Sequence, residues 1–192
     1  MAHEVEVLIL QHPMEVTQAK GSARLLHLSL PGSRLLTGEV FHMHGVLADA
    51  DAAEGRPRHT LLLYPDTVDT GGDELRAPAA LREPSPRREP SQVRLIVLDG
   101  TWRKSRKMLY LNPLLQQLPR LALRDMPPSN YRIRQAHKPQ QLSTLEATCA
   151  ALAQLESDHE KFLPLLTAFD GFVAQQMGWR PGRRRAGLLL NR

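Results

Sequence analysis

The apolar residues of the chain are concentrated in three short runs, "VEVLIL" (5–10), "TLLLYPD" (60–66) and "VRLIVLD" (93–99). Runs of this length, rich in Val, Ile and Leu, are typical of strands that are buried on both faces. The stretches between them are long enough for crossover connections. The pattern therefore predicts an α/β fold with a mostly parallel sheet covered by helices.

The apolar period changes to that of a helix after Asp99. At about 100° per residue, one side of a helix over residues 102–109 carries Trp102, Ser105, Met108 and Leu109. The other side carries the cations Arg103, Lys104, Arg106 and Lys107. We expect the tryptophan side to pack in the core and the basic side to face the solvent.

Four other segments have recognisable patterns. Residues 22–30 predict a short helix or the entry to a strand, and residues 113–123 predict a short helix or turn followed by a strand. The clearest helix covers residues 141–156, where Ser143 and Glu146 have the spacing of a capping box. Residues 162–179 predict a second amphipathic helix.

The 192 residues fit one domain, which we place at residues 1–178. The segment 69–92 is rich in Pro, Gly and charged residues and predicts a long surface loop within that domain. Residues 179–192 predict a basic tail.

Composition limits the compartment and the chemistry. No apolar run is long enough to span a membrane, and the first residues lack the features of a secretory signal, so we expect a cytoplasmic protein. Cys149 is the only cysteine, which excludes an intramolecular disulfide and a zinc site built on several thiolates. Its apolar surroundings predict that it packs in the core.

The net charge is +5, and the positive residues are clustered. Residues 94–138 contain ten Lys and Arg against two acids, and residues 178–192 contain five arginines and no acid. Clustered positive charge attracts polyanions, and nucleic acid is the commonest polyanion for a cytosolic protein. The alternative is a solvated basic face with a disordered tail.

Two segments have the position of a ligand site. In open parallel sheets, ligands bind beyond the carboxyl ends of the strands. Residues 99–102 (Asp-Gly-Thr-Trp) and Tyr64 with Pro65 both follow predicted strands. Asp99 then either points into the crevice or serves as the N-cap of the following helix.

Other chemical signals are weaker. The helix start at Ser143 and Thr144 offers unpaired amides to an anion, but a plain helix cap has the same sequence. His42 and His44 have the spacing of two residues on one strand face, but the spacing identifies no third ligand, so we predict no metal site. Dinucleotide, Walker A, nucleophile-elbow and zincin motifs are absent from the sequence.

Several separated motifs, in the same order, resemble the DTW-domain family of tRNA-uridine aminocarboxypropyltransferases. They are "LILQHPME" with "SARLL" (8–26), "LDGTW" (98–102), "YRIR" (131–134) and "LSTLEA" (142–147). The resemblance covers residues 5–172 of the sequence.

This resemblance implies a fold and a reaction. The fold would be SPOUT-like, with a C-terminal trefoil knot, which is an exception to the usual unknotted topology. S-Adenosylmethionine would give its 3-amino-3-carboxypropyl group to N3 of a tRNA uridine and leave as 5′-methylthioadenosine. The implied cofactor is S-adenosylmethionine and the implied partner is tRNA. No metal, membrane or protein partner is implied, and a monomer and a homodimer both remain open.

The same resemblance implies roles for particular residues. Asp99 is the candidate catalytic residue, either as general base toward the uracil or as a ligand of the cofactor's ammonium. For the cofactor, the resemblance implies contacts from Thr101, Trp102, Leu142, Ser143, Thr144 and Glu146. Their position at the strand ends adds Tyr64, Pro65 and Gly100 as candidate cofactor-binding residues. The candidate contacts to tRNA phosphates are Arg103, Lys104, Arg106, Lys107, Arg132 and Arg134.

The sequence departs from the family pattern in two ways. Many members carry an N-terminal cysteine cluster that resembles a zinc knuckle, whereas this chain has only Cys149, so we expect no zinc. Gly21 and Ser22 stand where an Asn-Thr pair would be more typical. Two other functions therefore remain: an RNA methyltransferase of the SPOUT type that uses the same cofactor, and a non-catalytic RNA-binding protein.

Overall fold

Five parallel strands form the sheet of the computed structural model, which describes residues 2–18, 21–55, 57–65, 89–123 and 142–178. In chain order the strands are β1 (Glu6–Gln11), β2 (Arg34–Thr37), β3 (His59–Leu63), β4 (Val93–Asp99) and β5 (Arg120–Leu121). Their order across the sheet is β2-β1-β4-β3-β5. The predicted α/β class with a parallel sheet is confirmed.

The three apolar runs form the three central strands, as predicted. β1 and β4 are buried along almost their whole length because helices cover both faces of the sheet. β2 was not predicted, because its four residues, "RLLT", are partly or fully exposed and too few to show a period.

Six α-helices flank this sheet in the described ranges: α1 (Ser22–Ser29), α2 (Met43–Glu54), α3 (Trp102–Leu111), α4 (Pro113–Gln117), α5 (Thr144–Leu155) and α6 (Leu163–Gly178). Residues 22–29 are thus a helix and not a strand entry. In the segment 113–123, where a short helix or turn followed by a strand was predicted, α4 precedes β5. The helices predicted at 141–156 and 162–179 are confirmed as α5 and α6 within the described residues. α2 was not predicted.

The two faces of the sheet have separate cores. Val7 and Ile9 of β1 pack on the side of α1, α5 and α6. The alternate residues Leu8 and Leu10 pack on the side of α2, α3 and α4. This two-sided burial explains why β1 reads as a continuous apolar run instead of an alternating one.

The connections diverge between β1 and β4. From β1 the chain passes through α1 to β2, which lies at one edge of the sheet. From β4 it passes through α3 and α4 to β5, which lies at the opposite edge. Because α1 and α3 lie on opposite faces, the carboxyl ends of β1 and β4 border a crevice at a topological switch point. This is the position in which open α/β sheets bind ligands.

The opposite end of β4 holds a buried ion cluster. Arg94 is fully buried, and its guanidinium donates to Glu6 of β1 at 2.8 Å and to Asp51 of α2 at 2.7 Å. Arg58 lies 3.5 Å from the same Glu6 carboxylate. The cluster joins α2 to the middle of the sheet.

Several predictions concern residues outside the described ranges. Most of the predicted loop 69–92 lies there, although Pro90–Gln92 form a short 3-10 helix. The tail 179–192 lies there as well. The trefoil knot stays a prediction, because the chain between β5 and α5 includes residues 124–141, which are not described. In the described ranges, no helix combines the length and apolar character needed to cross a membrane.

Candidate functional site

Asp99 is the last residue of β4, and its side chain joins three elements at the crevice. It is 3% exposed. Its Oδ2 accepts a hydrogen bond from Nε2 of Gln11, the neighbouring residue on β1, at 2.9 Å. Its Oδ1 accepts from the hydroxyl of Thr144, the first residue of α5, at 2.7 Å. One carboxylate therefore positions β1, β4 and α5 relative to one another.

Thr101, and not Asp99, caps α3. Its side chain accepts from the amide of Lys104 at 3.4 Å. The interpretation of Asp99 as an N-cap is therefore wrong. Gly100 permits the tight passage from strand to helix, since a Cβ at this position would lie 3.1 Å from the Cβ of Lys104.

The donors to Asp99 are neutral. In the part of the chain that the structure describes, the carboxylate forms no ion pair with a Lys, Arg or His side chain. A buried carboxylate is stable when hydrogen bonds and positive charge compensate for lost hydration. Among the described residues, Gln11 and Thr144 supply the hydrogen bonds to this carboxylate.

The capping box at the start of α5 is confirmed. The Ser143 hydroxyl accepts from the Glu146 amide at 3.2 Å, and the Glu146 carboxylate accepts from the Ser143 amide at 2.7 Å. These two side chains are thus occupied in holding the helix start, which leaves Thr144 to contact Asp99. Leu142 lies just before the cap and is half-buried.

The prediction that Trp102 packs in the core is wrong. Trp102 is 46% exposed, although Ser105, Met108 and Leu109 on the same predicted side are buried. As the first residue of α3, Trp102 lies at the rim of the sheet, beyond the core that the rest of the helix covers. Its ring contacts Tyr64 at a steep angle, with 5.7 Å between the ring centroids and 79° between the ring planes.

Tyr64 follows β3 and is fixed by a buried arginine. The Arg120 guanidinium lies 5.2 Å from the centroid of the Tyr64 ring and donates to the carbonyl of Pro65 at 3.2 Å. Burial raises the pKa of Tyr64, and the charges of Arg120 and Arg106 oppose that rise. The phenol is therefore neutral at physiological pH.

The basic side of α3 is not uniform. Arg103 and Arg106 are exposed and form no ion pair with any residue that the structure describes. Lys104 instead pairs with the buried Glu15 at 2.8 Å, and Lys107 pairs with Glu39 at 2.6 Å. The prediction that the basic side of α3 faces the solvent is confirmed for Arg103, Arg106 and Lys107, whereas Lys104 is half-buried.

The lysines connect α3 to the loops after β1 and β2. Glu39 also accepts from Nε2 of the buried His12 at 2.7 Å, while Nδ1 of His12 accepts from the Met14 amide. The hydrogen bond from Lys107 is the main reason that the pKa of Glu39 is lowered. These contacts hold the two loops beside the crevice.

Two arginines counted in the basic segment are internal. Arg94 and Arg120 are both buried, so they contribute to packing and not to the surface. Arg132 and Arg134 lie outside the described residues. Of the predicted phosphate contacts, the described structure therefore presents Arg103 and Arg106 as exposed and unpaired.

The family model for the DTW domain matches residues 1–177. The chain belongs to the DTW-domain family. It is 33% identical over 157 residues to tRNA-uridine aminocarboxypropyltransferase 2 of Drosophila melanogaster, a match that covers 81% of this chain and 58% of that protein. The protein of the same name from Mus musculus is 30% identical over 171 residues, covering 87% of this chain and 54% of that protein.

This DTW domain spans just over half the length of these relatives. A third protein of the same name, from Macaca fascicularis, is 28% identical over 171 residues. No solved structure matches the chain.

Sequence reasoning did not single out four residues that the structure of this DTW domain places around Asp99 and α3: Gln11, His12, Glu15 and Glu39. The signal for Gln11 and His12 was their position directly after a buried strand, which is the argument that identified Asp99. Glu39 gave no such signal because β2, the strand before it, was itself not predicted.

The histidine pair and the cysteine singled out in the sequence lie in two different helical regions. In the described part of this DTW domain, no group of three or more His, Cys, Asp or Glu side chains has the geometry of a metal site. His42 and His44 do not share a strand, since α2 begins at Met43. Cys149 is buried in α5, as predicted, and burial raises its pKa to about 12.

Proposed function

We propose that this DTW domain transfers the 3-amino-3-carboxypropyl group of S-adenosylmethionine to N3 of a tRNA uridine and releases 5′-methylthioadenosine. The three relatives named tRNA-uridine aminocarboxypropyltransferase 2 support the reaction class. The observation in this chain that carries the proposal is the Asp99 carboxylate, buried at the switch point, where it accepts from Gln11 and Thr144 and forms no ion pair within the described residues.

The residues at the crevice fit such a donor. S-Adenosylmethionine carries a sulfonium and an ammonium, and when bound it supplies an electrophilic carbon next to the sulfur. The negative charge of Asp99 favours a cation at this place, because little water is present to compete. Gly100, with Tyr64 and Thr101 nearby, and the α5 start at Ser143 and Thr144 would form the rest of the binding surface.

Two roles for Asp99 remain in the proposal. As a general base, it would take the N3 proton of the uracil while the new carbon–nitrogen bond forms. As a ligand, it would hold the donor's ammonium and thereby select which carbon faces the uridine. We favour the second role, because both oxygens already accept hydrogen bonds and the side chain is 3% exposed.

The tRNA would approach the exposed N-terminal end of α3. Arg103 and Arg106 are suited to phosphates, with Arg132 and Arg134 as further candidates. Phosphate contacts supply affinity without reading the base, so the shape of the tRNA would determine which uridine is modified. We also propose that the protein is cytoplasmic, that residues 1–178 form a single domain, and that the fold contains the C-terminal trefoil knot.

The decisive experiment is nucleoside mass spectrometry. Unmodified tRNA is incubated with the protein and S-adenosylmethionine, and the digested nucleosides and small products are analysed. We expect 3-(3-amino-3-carboxypropyl)uridine together with 5′-methylthioadenosine. A methylated nucleoside with S-adenosylhomocysteine would instead identify a methyltransferase. Absence of any product from several tRNA pools, with tRNA binding intact, would favour a non-catalytic RNA-binding protein.

The Asp99→Asn variant separates the two roles of the carboxylate. If Asp99 holds the ammonium, the variant loses affinity for S-adenosylmethionine in calorimetry as well as product formation. If Asp99 is the general base, donor binding stays near the wild-type value and only product formation falls. The control is Asp158→Asn, which removes an exposed acid from the turn between α5 and α6.

A further inference from the structure

Trp102 presents an aromatic ring to the solvent at the rim of the crevice. It lies three residues after Asp99 and is 46% exposed. Single exposed apolar side chains are common on protein surfaces, so the position of this ring matters more than its exposure. At the rim of the crevice, the half-exposed ring is accessible to a ligand that binds beside Asp99.

The Trp102 ring is supported by a buried aromatic residue. Tyr64 contacts it edge-on, and Tyr64 is in turn fixed by Arg120, which bonds the Pro65 carbonyl. Tyr64 and Arg120 are both buried, so this support is firm. A supported, half-exposed aromatic ring loses little conformational entropy when a planar ligand stacks on it.

Two exposed arginines, Arg103 and Arg106, lie close to the Trp102 ring on α3. Arg103 follows Trp102 directly, and Arg106 lies one helical turn further on the same side of α3. Neither forms an ion pair with a described residue. Guanidinium groups bind phosphate through paired hydrogen bonds, and they also stack on planar bases.

We propose that Trp102 is a stacking platform for an unpaired RNA nucleobase, with Arg103 and Arg106 binding the adjoining phosphates. Aromatic side chains beside basic residues are the common way in which proteins hold single-stranded bases. The inference rests on the proposed function in taking RNA as the substrate. It adds the residue that holds an unstacked base close to Asp99.

The test uses the fluorescence of Trp102. The chain contains two tryptophans, so Trp179→Phe leaves Trp102 as the single reporter. This variant is titrated with a ten-nucleotide oligouridylate and with an abasic ribose-phosphate oligomer of equal length and charge. Stacking predicts quenching and tighter binding for oligouridylate, and neither for the abasic oligomer.

Substitutions then measure the contribution of the ring. Trp102→Ala is expected to weaken oligouridylate binding roughly 5- to 150-fold, the range for one stacked base, and to leave abasic binding unchanged. Trp102→Phe should retain most of the affinity. Tyr110→Ala is the matched control, because Tyr110 is an exposed aromatic residue on the same helix.

Three results would overturn the platform: equal binding of the two oligomers, no effect of Trp102→Ala, or quenching by 5′-methylthioadenosine without quenching by oligouridylate. The last result would assign the ring to the donor's adenine. Failure of the proposed function is distinguishable, because oligouridylate can stack on Trp102 even if mass spectrometry finds no modified uridine. Conversely, product formation that Trp102→Ala leaves unchanged would overturn only the platform.

Discussion

The two ends of β4 each bury a charged side chain, but they neutralise it differently. Arg94, near the start of the strand, is fully buried and contacts the carboxylates of Glu6 and Asp51. Asp99, at the end of the strand, is 3% exposed and accepts hydrogen bonds from Gln11 and Thr144. The first charge has counter-charges within the described fold, and the second has only neutral donors there.

This difference separates a structural site from a candidate binding site. Removing one partner from a compensated buried cluster leaves uncompensated charge behind, which is costly to the folded state. A carboxylate that has hydrogen bonds without a cation retains attraction for a positively charged ligand. The same strand therefore provides stability at one end and, in our proposal, chemistry at the other.

Arg94→Ala should have the largest effect on stability. Buried pairs cost about 3–5 kcal/mol when one member is removed. We expect about 3 kcal/mol, the lower end, because Asp51 is partly exposed and Glu6 keeps Arg58 nearby. Urea unfolding followed by circular dichroism measures the change.

Arg103→Ala is the control for this experiment, since it removes an exposed arginine without an ion pair in the described structure. It should change the unfolding free energy by no more than about 0.5 kcal/mol. Equal effects of the two substitutions would contradict a structural role for the Arg94 cluster.

Asp99→Ala should destabilise the fold less and affect function more. It leaves the Gln11 amide and the Thr144 hydroxyl without their acceptor, which costs about 1–3 kcal/mol. Any remaining folded protein should form no detectable product, whereas folded Arg94→Ala should retain activity per folded molecule. Urea unfolding and nucleoside mass spectrometry on the same samples test this reversal. A stability loss larger than that of Arg94→Ala would remove the distinction between the two ends.

Thr144→Val tests a single contact of the Asp99 carboxylate. The substitution keeps the shape of the side chain and removes the hydroxyl that donates to Oδ1. Because the acceptor is charged, we expect a loss of about 1.5 kcal/mol in unfolding free energy. Thr144→Ser retains the hydroxyl and should lose well under half of that. If both variants behave alike, the hydrogen bond does not connect α5 to β4.

The smallest effect concerns the Glu39–Lys107 pair beside the crevice. The pKa of Glu39 is lowered from its ordinary value of 4.5, chiefly by the hydrogen bond from Lys107. A lowered folded-state pKa stabilises the fold above the ordinary value, and this stabilisation is lost as the pH falls through the folded-state pKa. Lys107→Met should therefore lose less stability than the wild type between about pH 6 and pH 3. Parallel curves for the two proteins would show that the pair has no effect on stability.

The sequence predicted the central sheet well because two-sided burial leaves a clear signal. β4 has the predicted bounds, and Asp99 was identified by its position at the end of that strand. The start of α5 was also predictable, since a capping box is a local pattern. These features depend on neighbouring residues in the chain or on strong apolar runs.

The remaining features depend on contacts between distant segments. Whether Lys104 and Lys107 are free is decided by Glu15 and Glu39, which approach from other loops. The exposure of Trp102 depends on where α3 starts relative to the rim of the sheet, which a helical wheel does not contain. The periodicity of α3 correctly predicted its buried residues but not the boundary of the core.

The sequence separation of the Asp99 contacts has a kinetic consequence. Gln11 and Thr144 are 88 and 45 residues from Asp99 along the chain. Contacts between such distant residues require the closure of long loops, and all-parallel sheets form slowly for the same reason. During refolding, α5 can therefore become helical early through its own capping box, while its connection to Asp99 waits for β1 and β4 to pair. Recovery of the assembled crevice should be among the last events of folding.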